Sequence, residues 1–168
     1  MTYVVSDVDG VLNTGQFLYS SAGKEYKVFG PHDSDGVKLL KEAGIDVQFI
    51  SADHRGYNIT KSRLDDMGAK LTFVSENNRL AFLLSVLDSG RTWFIGDGFY
   101  DAVAAASICT HSNYIESLTH NDAVDHMKAL ALILPGTPGN GFFFNAAIHI
   151  LKIEEKYDFV LSKFGGRL

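Results

Sequence analysis

Residues 4–13 read Val-Val-Ser-Asp-Val-Asp-Gly-Val-Leu-Asn, a short apolar run that ends in two carboxylates and a glycine. In an open parallel α/β sheet, ligands bind just beyond the carboxyl ends of the strands, so a strand ending this way places Asp7 and Asp9 where a crevice forms. Side chains alternate along extended backbone, and the two carboxylates share one side while Val8 faces away. Gly10 lets the chain turn sharply beside a ligand. Phosphoryl-transfer chemistry starts from such a pair. The bland reading of these residues alone is a solvated Asp-rich turn, so the rest of the chain has to decide between the two.

Beyond this strand, apolar segments of strand length alternate with segments of helical periodicity, which predicts an α/β fold with a parallel sheet. Strands are expected at 2–6, 45–50, 70–74, 92–95 and 108–110. Helices are expected at 34–43, with Gly44 as the stop, and at 57–67, 77–87 and 101–106. A last helix is expected over 139–156, after the turn Pro135-Gly136-Thr137-Pro138-Gly139. One segment breaks the alternation. Residues 14–20 and 25–29, separated by Ser21-Ala22-Gly23-Lys24, read as a β-hairpin placed directly after the carboxylate pair. The chain reads as one domain over 1–168, with this hairpin at about 14–29 as an insertion.

Composition narrows the function classes. A length of 168 residues is enough to bury a proper core, and no linker or charge block divides it. The longest aliphatic run, 129–134, is far shorter than the ~20 residues a membrane-spanning helix needs, and the start of the chain lacks a basic-then-apolar signal pattern. A net charge of −5 without a basic stripe argues against nucleic acid as a partner. The single cysteine, Cys109, is incompatible with an intramolecular disulfide framework and fits a reducing compartment. The expectation is a cytoplasmic protein acting on a small phosphorylated metabolite, with no membrane and no nucleic-acid partner.

Three further strand or helix ends carry chemistry. Phe49-Ile50-Ser51 ends an apolar strand in a hydroxyl able to donate to a phosphoryl oxygen. Just beyond it, Arg55 is a candidate for contact with a substrate anion. Arg79, near the start of a predicted helix, has the planar fork suited to paired hydrogen bonds with a phosphoryl group. The segment Gly96-Asp97-Gly98-Phe99-Tyr100-Asp101 closes another apolar strand with two carboxylates, the oxygen ligands that Mg²⁺ requires. Each feature alone has a commonplace explanation as a cap, a solvated first turn or a surface loop. Together, with Asp7 and Asp97 about 90 residues apart and a hydroxyl and a cation between them, they form a specific pattern.

The order DVDGV (7–11), FIS (49–51), Arg79 and GDGFYD (96–101) resembles the four motifs of the haloacid dehalogenase-like phosphatase superfamily. The hairpin in place of a large cap, the wording DVDGVLNTG and the segment KVFGPHDSDGVKLL (27–40) resemble its minimal-cap branch, which contains octulosonate 8-phosphate and nonulosonate phosphatases. The resemblance implies a Rossmann-like parallel sheet flanked by helices, Mg²⁺ dependence, and a tetramer whose hairpins complete neighbouring sites. It also implies roles. Asp7 is the nucleophile that forms an aspartyl-phosphate, and Asp9 the acid and base. Asp7, the Asp9 carbonyl and Asp97 are metal ligands, and Asp101 orients the metal shell or Arg79. Ser51 and Arg79 hold the phosphoryl oxygens.

Three departures from that branch bear on substrate choice. Asp97 is followed by Gly98 rather than a second acid, and Arg79 stands where the branch usually has lysine. Gly139-Asn140-Gly141-Phe142-Phe143-Phe144-Asn145 replaces a glycine-rich turn that continues into Ala-Val-Arg-Glu in the octulosonate enzymes. The implied substrate is a small sugar phosphate or keto-sugar acid phosphate. Rival readings are a catalytically silent oligomerisation module on the same fold and a phospho-accepting receiver domain, whose acceptor aspartate closes a later strand than the first. For the oligomer, the rings of Phe17, Tyr19, Tyr26, Phe29 and residues 142–144 are the expected aromatic surface between subunits.

Overall fold

The computed structural model describes residues 2–87, 90–108, 112–116 and 131–165. Strand β1 (Thr2–Asp7) lies inside a six-stranded parallel sheet, paired with β4 (Asp46–Ser51) on one side and β6 (Arg91–Gly96) on the other. Adding β5 (Lys70–Phe73), β7 (Ser112–Glu116) and β8 (Ala131–Ile133) gives the order β5-β4-β1-β6-β7-β8. The chain winds outward from β1 in one direction through β4 and β5, then crosses to β6 and continues the other way. That reversal leaves a crevice at the carboxyl ends of β1 and β6. The register places Asp7 opposite Ile50 and Ser6 opposite Ile95, so the three polar strand ends come out side by side.

Alternation along the buried strands supplies two apolar faces. Val4, Val47, Phe49 and Ile95 pack beneath α1 (Asp33–Glu42) and α5 (Phe142–Ile153), with Leu64 of α2 (Tyr57–Asp66) and Val160 of α6 (Tyr157–Lys163) in the same cluster. On the opposite face, Val5, Ile50 and Phe94 pack against Leu83 of α3 (Arg79–Leu87) and Ala104, Ala105 and Ile108 of α4 (Phe99–Ile108). The fold class is the expected one, a Rossmann-like α/β sheet flanked by helices. The antiparallel hairpin, β2 (Asn13–Ser20) and β3 (Gly23–Phe29), forms a separate two-stranded sheet. Among the described residues, no helix is long and apolar enough to cross a membrane.

Several expectations are corrected. The helix expected over 139–156 is shorter than expected: it is α5, Phe142–Ile153, and Glu155 takes a left-handed φ of 56° before the separate helix α6 begins at Tyr157. The start of α5 is set from a distance. The buried Asp33 carboxylate accepts the backbone N–H groups of Gly141 (3.3 Å) and Phe144 (3.0 Å), satisfying donors the helix itself leaves open. Phe142 and Phe143 are fully buried, with the Phe143 ring 5.1 Å from that of Phe49, so they belong to the subunit core rather than to an interface. Ile108 closes α4 instead of opening a strand. The rest of that expected strand, and Cys109 with it, lies outside the described residues. Ala131–Ile133, read only as an aliphatic run, pairs with β7 as the edge strand.

Candidate active site

Asp7 ends β1, Ser51 ends β4, and Asp97 follows β6, so three strand ends bring these side chains to one mouth. Asp9 lies in the turn after β1, which the carbonyl of Val8 fastens by accepting the N–H groups of Leu12 (2.9 Å) and Asn13 (3.2 Å). Arg79 is the first residue of α3, behind a single 3₁₀ turn at Glu76–Asn78. Asp101 sits in the first turn of α4, where its Oδ2 accepts the N–H groups of Asp97 (3.3 Å) and Gly98 (3.2 Å). The walls enclose a cleft of about 540 Å³ whose lining includes Asp7, Asp9, Ser51, Arg79, Asp97 and Asp101. Arg55 lines it too and is exposed at the rim.

The cleft has two electrostatic halves. In the first, Asp7, Asp97 and Asp101 are all buried and offer carboxylate oxygens within 4.8 Å of one another. Arg79 is buried among them, donating to Asp7 Oδ1 at 3.0 Å and ion-paired with Asp101. Burial first, and then the neighbouring Asp101 carboxylate, push the Asp7 carboxyl well above the ordinary carboxylate range, and Arg79 only partly offsets this. Burial also works against the Arg79 charge, but Asp7 and Asp101 outweigh it and raise its pKa. Three carboxylates with one guanidinium leave two negative charges, all on oxygen donors. That donor set fits a hard divalent cation.

The second half is compensated by the protein itself. Lys27 is buried, and its Nζ donates to Asp9 Oδ1 (2.7 Å) and Oδ2 (2.9 Å) and to Thr60 Oγ1 (2.9 Å), with Asp53 Oδ2 at 2.8 Å. Lys24 pairs with the same Asp53 oxygen at 2.5 Å. Burial opposes ionisation of Asp53, yet hydrogen bonds from Lys24 and Lys27 outweigh it and lower its carboxyl to about 2. Two lysines and two carboxylates sum to zero, so this half calls for no cation. Asn13 also donates to Asp9 Oδ1, at 2.6 Å, while its own oxygen accepts the N–H groups of Gly10 and Gly15.

The six motif residues therefore meet in one cleft. Lys24 and Lys27 are the residues sequence reasoning missed. Strict alternation puts positions three apart on opposite faces of a strand, but the hairpin register pairs Leu18 with Tyr26 and Tyr19 with Lys24, leaving Glu25 as an extra residue in β3. This bulge turns Lys24 to the face that carries Lys27, Phe17 and Tyr19. On that face Lys24 Nζ lies 3.6 Å from the centroid of the Phe17 ring. The available signal was two lysines on an otherwise aromatic hairpin directly after an acidic strand end.

Comparison with known proteins decides the family. The chain is 30% identical over 160 residues to 3-deoxy-D-manno-octulosonate 8-phosphate phosphatase of Haemophilus influenzae, covering 92% of this chain and 84% of that one. The chain belongs to the haloacid dehalogenase-like phosphatases. Its place in this family is the octulosonate 8-phosphate phosphatase branch, and the activity class is phosphoric monoester hydrolysis. The cobalt-bound structure of the deoxy-D-mannose-octulosonate 8-phosphate phosphatase of Haemophilus influenzae superposes with a TM-score of 0.73 at 29% identity, covering 92% of this chain and 90% of that one. The Moraxella catarrhalis 3-deoxy-D-manno-octulosonate 8-phosphate phosphatase, solved with magnesium, phosphate and KDO, has the same fold. It has a TM-score of 0.79 at 24% identity and covers 96% of this chain and 92% of that one. No family model matches the chain.

Proposed function

We propose that this phosphatase is a Mg²⁺-dependent hydrolase of a small sugar phosphate or keto-sugar acid phosphate, working through an aspartyl-phosphate on Asp7. The observation that carries the reading is the buried set Asp7, Asp97 and Asp101 around Arg79, at the crevice between β1 and β6. The cobalt and magnesium in the related structures accord with it. Asp7, the Asp9 carbonyl and Asp97 would hold the ion, with Asp101 orienting that shell and Arg79. When bound, the ion neutralises the crowded carboxylates and the substrate phosphate, which lets Asp7 act as an anion.

The residues divide the work in two steps. A carboxylate lone pair of Asp7 attacks phosphorus, the bond to the leaving oxygen breaks, and Asp9 supplies that oxygen with a proton. Asp9 then takes a proton from the water that attacks the aspartyl-phosphate, and inorganic phosphate leaves as Asp7 is restored. Ser51 and Arg79 hold the phosphoryl oxygens, where preorganised donors favour the transition-state charge. Phe17 and Tyr19 of the hairpin cover one side of the cleft, and Arg55 stands at the rim for an anionic group on the leaving sugar. The reading includes a cytoplasmic protein and a tetramer joined through the outer hairpin face, where Leu18, Tyr26 and Val28 are exposed.

The test is a panel of sugar phosphates, keto-sugar acid phosphates and nucleotides, ranked by kcat/KM with Mg²⁺ and with excess chelator. Turnover of a sugar phosphate that chelator abolishes supports the reading, as does acid-stable trapping of a phosphoenzyme absent from Asp7→Asn. Undiminished hydrolysis in chelator would refute the metal requirement, and full activity of Asp7→Asn the nucleophile.

A further inference from the structure

We infer that Lys27 is a positioning residue for Asp9, and that the clamp it forms with Asn13 makes Oδ2 the oxygen that carries the catalytic proton. The inference rests on the phosphatase reading above, in which Asp9 protonates the leaving group.

The two oxygens of Asp9 have different surroundings. Oδ1 accepts from Asn13 Nδ2 at 2.6 Å and from Lys27 Nζ at 2.7 Å. Neither donor can accept a proton in return, because an ammonium and an amide NH₂ have only hydrogens to offer. A proton on Oδ1 would face two donors and find no acceptor. Oδ2 accepts from Lys27 at 2.9 Å and from the Ser51 hydroxyl at 3.3 Å. A hydroxyl can rotate and accept. Ser51 also ends β4 beside Asp7, on the side where the phosphoryl group is proposed to lie, so Oδ2 is the oxygen turned toward the reacting phosphorus. Once Ser51 bonds a phosphoryl oxygen, the Oδ2 proton has the leaving oxygen as its acceptor. The Oδ2–H bond then breaks as that oxygen gains the proton, the phosphorus–oxygen bond electrons stay with it, and Asp7 supplies the new bond to phosphorus.

Lys27 is itself held rigidly enough to set this geometry. Its side chain is 0% exposed, and its ammonium is divided among Asp9, Asp53 and Thr60. Those partners come from the turn after β1, the segment after β4, and α2, so the hairpin reaches the acid through one residue fixed from three directions. Displacing a reacting group by about 1 Å can cost about 10²-fold in rate, which gives this clamp catalytic consequence.

The experiment compares wild type, Lys27→Met and Thr60→Val on two substrates: the sugar phosphate from the panel that wild type hydrolyses best, and p-nitrophenyl phosphate. The sugar alkoxide needs a proton to leave and nitrophenolate does not. With Lys27→Met, kcat on the sugar phosphate is expected to fall about 10²-fold or more, against less than about tenfold on p-nitrophenyl phosphate, with each KM within about threefold. Thr60→Val, which removes only the hydroxyl steadying Nζ, should shift the ratio of the two kcat values the same way by a few-fold. Equal losses on both esters, or a loss carried by KM alone, would overturn the inference by reducing Lys27 to a hairpin tether. Should Lys27→Met show no cooperative thermal unfolding, the Thr60→Val ratio decides, and an unchanged ratio overturns the inference. A wild type inert on both esters, or an Asp7→Asn variant that turns over fully, overturns the phosphatase reading itself, and the controls alone reveal that outcome.

Discussion

Gly10 and Asp97 touch so closely that a Cβ on Gly10 would lie 1.9 Å from Asp97 Oδ2. The Gly10 backbone is also left-handed, with φ of 85°, a conformation costly for any residue with a side chain. The turn after β1 therefore seats a carboxylate that arrives from β6, about 90 residues later. Gly10→Ala is expected to push Asp97 out of the acidic cluster and weaken Mg²⁺ activation by about 10–100-fold. Titrating activity against Mg²⁺, with circular dichroism to confirm the fold, tests this. An unchanged activation midpoint would mean that Asp97 has room to move without consequence.

Asp97 and Asp101 should differ as metal groups. Asp101 already has Oδ2 committed to two backbone N–H groups and Oδ1 to Arg79. Asp97→Ala should therefore shift the Mg²⁺ midpoint further than Asp101→Ala, whose larger cost should appear in kcat as Arg79 loses its anchor. A larger midpoint shift for Asp101→Ala would reverse the assignment of direct ligand and orienting group.

Burial of Asp7, together with crowding by the neighbouring carboxylates, sets the pH dependence of the metal-free protein. The Asp7 carboxyl is raised, so its ionised form is disfavoured in the folded state relative to the unfolded chain. Its penalty appears as pH rises through the unfolded value and is fully present above the folded one. At high pH in excess chelator, Asp7→Asn should melt above wild type, by about 2–4 °C for each kcal/mol relieved. Added Mg²⁺ should raise the wild-type Tm more than that of the variant. A variant that melts below wild type in chelator would show that the Asp7–Arg79 ion pair outweighs burial and crowding together.

Asp53 has the opposite sign. Its carboxyl is lowered from 3.8 to about 2, so its stabilisation is fully present above the unfolded value and is lost as pH falls through about 2. Urea unfolding of wild type and Asp53→Asn should show wild type more stable near neutral pH, with the gap closing between about pH 4 and pH 2. A gap independent of pH would mean that shape rather than charge holds Lys24 and Lys27.

The outer face of the hairpin tests the proposed tetramer. Leu18 and Tyr26 pair across the strands and are 58% and 60% exposed, a costly arrangement for an isolated two-stranded sheet in water. Leu18→Glu together with Tyr26→Glu is expected to dissociate the assembly in light scattering. A wild type that stays monomeric at high concentration would remove the hairpin's proposed subunit role.

The alternation of strands and helices, the hairpin and the four motif positions were legible in the chain, because each is written in local periodicity, turn residues and the chemistry of a strand end. DVDGV followed by a hydroxyl strand end, an arginine and a Gly-Asp turn also carried the family. What the sequence could not show were partners, since periodicity says which face a side chain takes and nothing about what it meets there. Arg79 and Asp7 are 72 positions apart, and only the packing of α3 against the sheet joins them. Phe142 and Phe143 read as surface aromatics, but Asp33, which lies 108 and 111 positions before the two N–H groups it accepts, fixes the start of α5, and both rings lie in the core. The clamp on Asp9 depended on more still. One extra residue in β3 reverses the face of Lys24, and the tertiary position of the hairpin then brings Lys27 to a carboxylate 18 residues earlier.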